Sequence, residues 1–343
     1  MERETQFIGQ SAAFQDAVER ASLAASLDRP VLVIGERGTG KELIAERLHR
    51  LSMRWDRPYV IMNCAAMPET LIESELFGHE AGAFTGATRT RAGRFEEADG
   101  GTLFLDELAT MSMGAQERLL RAVEYGEVTR VGSSRPIRVD VRIVAATNEH
   151  LPALAEDNRF RADLLDRLSF EVITLPPLRA REGDIEVLAE YFGQRMAAVL
   201  GWEEWPGFGP RALAAMEGHD WPGNVRELRN VIERAIYRWA DAEKPVDALS
   251  FDPFASPWQP VSRKAPPRPE ASAPVPANDA AHAAGAPPSG PVSDLRAAVD
   301  AYEKQILSDT MARCRFNQKV AAEALGLSYD QIRHALKKHG LNQ

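Results

Sequence analysis

From Phe7 to about Leu175, short apolar runs alternate with stretches whose apolar residues recur at helical spacing. That alternation predicts an α/β fold in which a five-stranded parallel sheet is covered by helices on both faces. The expected strands lie at 31–34, 59–62, 102–105, 142–146 and 170–174. After Pro176-Pro177 the strand pattern stops, and helical periodicity over 184–200, 210–218 and 224–239 predicts an all-α second subdomain. Over 252–292 Pro, Ala and Ser dominate and large aliphatic residues are few, so the segment reads as a disordered or semi-extended tether. Helical period returns over 293–343, which is too short to hold a large core alone. The expected divisions are thus 1–176, 177–251, 252–292 and 293–343.

With 343 residues, 44% hydrophobic and 27% charged, the chain has room for two or three domains. No apolar run approaches the roughly 18 residues of a membrane span, and Met1-Glu2-Arg3-Glu4-Thr5-Gln6 lacks the order of a signal peptide. A cytoplasmic protein with no membrane insertion is expected. Cys64 and Cys314 lie far apart without metal-ligand spacing and read as ordinary reduced residues. A net charge of −9 argues against a chain that coats nucleic acid along its length, yet leaves room for a small basic module.

The chemistry concentrates at strand ends. Val31-Leu32-Val33-Ile34 runs into Gly35-Glu36-Arg37-Gly38-Thr39-Gly40-Lys41, a phosphate loop between strand and helix. Its glycines let successive N–H groups converge on phosphate oxygens, and Lys41 supplies a point charge for the outer phosphates. Glu42 stands where the general motif has a magnesium-binding hydroxyl. The apolar run ending Leu105-Asp106-Glu107 offers Asp106 as a magnesium ligand and Glu107 as the base that polarises an attacking water. A third strand ends in Thr147-Asn148, where Asn148 could orient that water. Arg161 and Arg167, six residues apart on one amphipathic stretch, admit two readings: contacts to a neighbouring subunit's phosphate, or ion pairs with Asp163 and Asp166. Between these motifs lies Gly82-Ala83-Phe84-Thr85-Gly86-Ala87, a glycine-hinged loop whose single apolar tip has little to pack against locally.

Near the carboxyl end, Ala321, Ala322 and Leu325 form a small apolar face, Gly326 breaks the helix and Ser328 caps the next, which reads as helix-turn-helix. From Met311 onward six Lys or Arg residues face two acids. Tyr329, Gln331, Arg333 and His334 are expected nearest base edges, with Lys337 and Lys338 on the phosphate backbone.

Together with Glu75-Leu76-Phe77-Gly78-His79-Glu80 and Trp221-Pro222-Gly223-Asn224-Val225-Arg226-Glu227-Leu228, these motifs resemble the AAA+ activators of sigma-54-dependent transcription over about residues 7–240. The resemblance implies an ATPase that uses ATP and Mg2+ and binds upstream enhancer DNA through a Fis-like module. Helix 295–313 of that module would supply dimer contacts. In that family a Glu follows the phosphate-loop Lys, so Glu42 becomes an expected feature. Residues 35–42 and Arg226, the second sensor, would bind nucleotide. Asp106 would hold the metal, Glu107 would be the base, and Asn63 would restrain it. Thr147 and Asn148 resemble the first sensor, and Arg161 and Arg167 resemble arginine fingers acting in trans within a homo-hexamer. Phe84 and Thr85 would touch the sigma factor of sigma-54 RNA polymerase.

The chain begins almost directly with the AAA+ module, so control is expected from elsewhere. The pattern most resembles the phage-shock branch, whose members a separate protein holds inactive. Trp55, among Met53, Arg54, Asp56 and Arg57, is either an exposed anchor for such a repressor or partly buried against its own domain. Two other readings compete. An AAA+ remodelling chaperone or helicase subunit would carry an aromatic-hydrophobic pore loop without Phe-Thr-Gly, and a plain DNA-binding nucleotide sensor would have no use for Glu107.

Overall fold

A computed structural model describes residues 7–66, 68–255, 258, 295–314 and 317–341. The chain divides into two compact units, with the division after Pro260. The tether expected over 252–292 lies, apart from 252–255 and 258, outside the described residues.

The strands of the first unit are β1 (Val31–Ile34), β2 (Tyr59–Asn63), β3 (Thr102–Asp106), β4 (Glu127–Thr129), β5 (Pro136–Arg138), β6 (Arg142–Thr147) and β7 (Glu171–Thr174). Five of them form a parallel sheet in the order β2-β3-β6-β1-β7. Its helices are α1 (Ala12–Ala25), α2 (Lys41–Arg50), α3 (Glu69–Phe77), α4 (Arg94–Glu97), α5 (Met113–Tyr125), α6 (Leu151–Glu156), α7 (Ala162–Leu168), α8 (Asp184–Leu200), α9 (Pro210–Glu217) and α10 (Asn224–Trp239).

The central strands β1, β3 and β6 are apolar through their middles, because each buries both faces there, and carry polar residues only at the ends of β3 and β6 (Thr102, Asp106, Arg142 and Thr147). Leu32, Leu103, Leu105, Ile143 and Ala145 point into one core with Leu76, Leu119 and Leu164 of α3, α5 and α7. The alternate residues Val31, Val33, Phe104, Val144 and Ala146 point into the other, beneath Ala17 and Ala21 of α1 and Ile44 and Leu48 of α2. This period of two is what a strand dictates, and it places helices on both faces as expected. β4 and β5 form a separate antiparallel hairpin that the periodicity does not predict. Its strands are three residues each and none of its side chains but Val128 is buried.

Helices α8 to α10 pack around Leu188, Met216, Leu228, Val231, Ile232 and the fully buried Trp221, whose indole N–H donates to Met216 O at 2.9 Å. This all-α layer starts after β7, as the loss of strand pattern predicts. The second unit contains α11 (Leu295–Arg313), α12 (Gln318–Ala324) and α13 (Tyr329–Lys338), closed over Leu307, Met311, Ala321, Ala322, Ile332 and Leu336. Gly326 turns the chain at φ +65°, and Ser328 and Gln331 form a capping box at the start of α13. No helix among the described residues is long and apolar enough to cross a membrane.

Candidate functional site

The carboxyl ends of β1, β3 and β6 converge, as parallel sheets require, on one edge where ligands can enter. Gly35 N donates to Thr147 O at 3.2 Å, locking the start of the phosphate loop to the end of β6. Gly38 and Gly40 adopt φ +78° and +103°, which an L side chain rarely tolerates, and α2 begins at Lys41. The Lys41 ammonium is buried, donates to Gly35 O at 2.8 Å and Glu36 O at 3.2 Å, and is pushed below its ordinary pKa by burial, against the opposing pull of Glu107 and Asp106. A buried cation beside a glycine-lined helix amino terminus fits a phosphate group.

Around the loop the side chains divide. Thr39 Oγ1 donates to Glu36 O at 2.8 Å and so faces inward, whereas Arg37 and Glu42 are exposed. The Glu36 carboxylate is held at 2.6 and 2.9 Å by Arg179 and at 3.0 Å by Asn224, and these partners keep its pKa at about 2. Residue 36 can therefore meet phosphate only through its backbone. Arg226 stands against the loop: a Cβ built on Gly38 would lie 3.0 Å from its Cβ.

Asn63 and Asp106 are register partners on β2 and β3. Asn63 Nδ2 donates to Asp106 Oδ2 at 3.2 Å, so the residue expected to restrain Glu107 instead holds its neighbour. Asp106 Oδ1 accepts from the Glu107 N–H at 3.0 Å. Each oxygen keeps a further lone pair, a donor set that suits a hard cation such as magnesium. Glu107 itself is left-handed, at φ 54° and ψ 45°, a conformation costly for a side chain of its size and common at active sites. Thr147 is buried and its Oγ1 accepts from Glu149 N at 3.0 Å, while Asn148 is exposed. Burial pushes the Cys64 thiol up to about 12, so it is an inert thiol, as expected.

Both arginines of the α7 stretch are ion-paired within the chain. Arg161 stands at the residue before α7 and forms two bonds to Asp163, at 3.0 and 2.7 Å. Arg167 pairs at 2.8 Å with Glu124 of α5, not with Asp166. The Arg167 side chain is 57% exposed, so a surface pair of this kind can be exchanged for another anion at little cost.

The glycine-hinged loop is better ordered than its composition suggests. Gly82 N donates to Ala87 O at 2.7 Å and Ala87 N to Phe84 O at 3.0 Å, closing the turn, with Gly82 and Gly86 at φ +83° and +102°. Phe84, 41% exposed, rests edge-on against the His79 ring at 5.0 Å, so the tip does have a local partner. Thr85 is exposed. At the base, His79 and Arg91 pair as in an antiparallel bridge. Arg130, beside the β4–β5 hairpin, binds Glu96 at 2.9 and 2.7 Å and Glu80 at 3.1 Å, tying the loop's stem to that hairpin.

In the second unit Tyr329, Arg333, His334 and Lys337 are exposed on α13. Gln331 differs in part from expectation: its Oε1 accepts from Ser328 N at 2.8 Å, so the cap takes the side chain's acceptor and fixes where its amide points. Lys338 also differs, because its ammonium is held by Asp300 at 2.7 Å and Glu303 at 2.8 Å on α11. Glu303 further pairs with His339 at 2.9 Å, leaving Lys337 the freer cation of the two. Trp55 is 68% exposed, on a loop whose Arg54 is pinned by Asp28 at 2.6 Å and Asp140 at 2.7 Å.

Sequence reasoning missed Arg130, Arg179 and Asn224. The two arginines find partners 34 to 143 positions away, which no local spacing encodes. Asn224 carried one signal, a Gly-Asn step opening a helix, where Asn tolerates positive φ.

Residues 7–174 match the family described as the Sigma-54 interaction domain, 179–254 the AAA+ ATPase lid domain, and 298–339 the bacterial regulatory protein, Fis family. The chain is 50% identical to the Psp operon transcriptional activator of Escherichia coli (strain K12), over 97% of each chain. It is 52% identical to the transcriptional regulatory protein ZraR of Salmonella typhimurium, over 67% of this chain and 52% of that protein. Among solved structures, NtrX from Brucella abortus in complex with ATP is similar at TM-score 0.67 and 30% identity, covering 98% of this chain and 70% of that one.

Proposed function

Because this chain belongs to the AAA+ activators of sigma-54-dependent transcription, we propose that it serves the phage-shock, membrane-stress operon in the cytoplasm as a homo-hexamer. The likeness to the Psp operon activator, which runs over 97% of both chains, carries this reading. The division of labour follows the expected boundaries: 1–176 and 177–251 form the ATPase and its lid, 252–292 the tether and 293–343 the DNA-binding domain.

Residues 35–42 cradle the phosphates of ATP through their backbone, with Lys41 on the outer oxygens. Magnesium held by Asp106 would neutralise phosphate charge. Glu107 accepts a proton from the attacking water, and Asn63 orients that acidic pair through its bond to Asp106. Thr147 and Asn148 read the outer phosphate from the end of β6. Arg161 and Arg167 reach a neighbour's nucleotide once they leave Asp163 and Glu124, and Arg226 reaches this chain's own from the lid. Phe84 and Thr85 deliver the output to the sigma factor. Tyr329, Arg333 and His334 face base edges and Lys337 the backbone, while Val299, Tyr302 and Ile306, exposed on one side of α11, suit a dimer contact.

A purified transcription assay tests this function: sigma-54 polymerase, ATP and enhancer DNA from a phage-shock promoter should yield open complexes only when the protein is present. Equal activation from unrelated sigma-54 enhancers, with none preferred, would refute the operon assignment. A chain ending at residue 292 is expected to keep ATPase activity and lose site-specific DNA binding, read by mobility shift; retained specific binding would place recognition elsewhere.

We propose a negative regulator that docks at Trp55, supported by its exposure on a pinned loop. Trp55→Ala is expected to hydrolyse ATP normally yet escape inhibition, with affinity for the regulator at least about thirtyfold weaker, the loss typical of a hot-spot aromatic. Unchanged inhibition in a titration of ATPase activity would remove the anchor.

A further inference from the structure

Asn224 is fully buried and opens α10 at φ +52°. A left-handed residue that carries a Cβ persists only where its surroundings hold it, and here each atom of its amide is used. Oδ1 accepts from Leu178 N at 2.7 Å, in the connector that follows β7. Nδ2 donates to Arg37 O at 3.0 Å and to Glu36 Oε2 at 3.0 Å, both in the phosphate loop. One side chain thus joins the connector, the loop and the lid helix.

The contacts beside it are equally close. Val225 N donates to Gly38 O at 3.1 Å, and a Cβ on Gly38 would come within 2.3 Å of Gly223 O. Arg226, two residues beyond Asn224, is carried by the same turn to the loop. Arg179 holds both oxygens of Glu36, at 2.9 and 2.6 Å, and shares Oε2 with the Asn224 amide, so the carboxylate is fixed by a cation and the amide together.

We propose that Asn224 is a positioning residue of the ATPase: with Glu36 and Arg179 it forms a clasp that sets Arg226 against the phosphate loop and thereby governs nucleotide affinity. The clasp rests on the reading of Arg226 as a phosphate contact. It gives Glu36 a role that its place in a phosphate-binding motif conceals, because the side chain faces the lid while the backbone faces the ligand. The connector bond is independent of the loop bonds, and this separation allows a test.

Asn224→Asp keeps the size and the acceptor for Leu178 N but turns an acceptor toward Glu36 and Arg37 O. In the full-length protein its KM for ATP should rise by about tenfold or more, the scale of losing a hydrogen bond to a charged group, with a smaller change in kcat. Adding Glu36→Gln restores a donor opposite residue 224, so the double variant should recover affinity relative to the sum of the single changes. A purely structural role for Asn224 in the lid would not respond to a change at a half-exposed loop residue. Additive effects, or an unchanged KM in Asn224→Asp, overturn the clasp. If Asn224→Asp fails to fold, Glu36→Gln alone carries the test, since it removes the charge shared by Asn224 and Arg179 and must raise KM. Arg226→Ala separates the two readings. If it weakens nucleotide binding while Asn224→Asp does not, the clasp fails; if it is silent while Asn224→Asp weakens binding, the role of Arg226 fails and the clasp acts on the loop directly.

Discussion

Glu107→Gln should bind ATP and leave it unhydrolysed, with turnover lower by at least about a hundredfold, the smaller end of what a positioned general base contributes. The substitution keeps the shape of the side chain and removes only its capacity to take a proton. Binding is expected to survive because the proposed phosphate contacts, Lys41 and the backbone of the loop at 38 and 40 before α2, do not include residue 107. The backbone should also survive: Gln occupies the same φ 54° as Glu, and the Glu107 N–H bond to Asp106 does not involve the side chain. Phosphate release measured beside binding of a fluorescent ATP analogue separates the two properties. Turnover within a few-fold of the parent would mean that another group activates the water, and loss of binding would mean that Glu107 shapes the loop itself.

The strands were legible because their environment writes directly into sequence. A strand buried on both faces is apolar on both through its middle, so 31–34, 103–105 and 143–146 appear as unbroken apolar runs within β1, β3 and β6. The phosphate loop was legible for a different reason: its chemistry is backbone chemistry, and only glycine permits φ +78° and +103° where the loop needs them. The β4–β5 hairpin left no such mark, since three-residue strands with mostly exposed side chains have no period to detect. Side-chain partnerships were the least legible layer. Arg167 chose Glu124 across 43 positions over Asp166 beside it, because adjacent residues on a helix face different directions. Gln331 and Lys338 show the same limit in the second unit: both have the chemistry to meet DNA, and both are held by partners inside the domain. The ordering of Phe84 by His79 belongs here too, as a contact across five positions of irregular chain.

Phe84→Ala should separate the motor from its output, hydrolysing ATP near the parent rate while failing to open the sigma-54 promoter complex. Among the described residues no hydrogen bond or ring contact links 82–87 to residues 35–42 or to Asp106 and Glu107, so removing the ring leaves the hydrolytic groups where they were. The ring itself is the loop's large apolar surface, and an aromatic anchor at a protein interface is worth about 2 kcal/mol or more. At 41% exposure Phe84 is already available to a partner, and its contact with His79 is one that an engaged tip must give up or share. A Cβ at Gly82 or Gly86 would meet open space, whereas Ala83 between them lies close against Gly132 after β4. The stem is fixed by Arg130 between Glu80 and Glu96 and by the His79–Arg91 bridge. A fixed stem below a tip whose ring contact is to His79 suits the proposed output role, and loss of the ring would remove the surface that meets the partner. ATPase activity and open-complex formation measured on the same preparation decide the matter: retained activation would take the finger out of the mechanism, and a matching fall in hydrolysis would make Phe84 part of the catalytic unit.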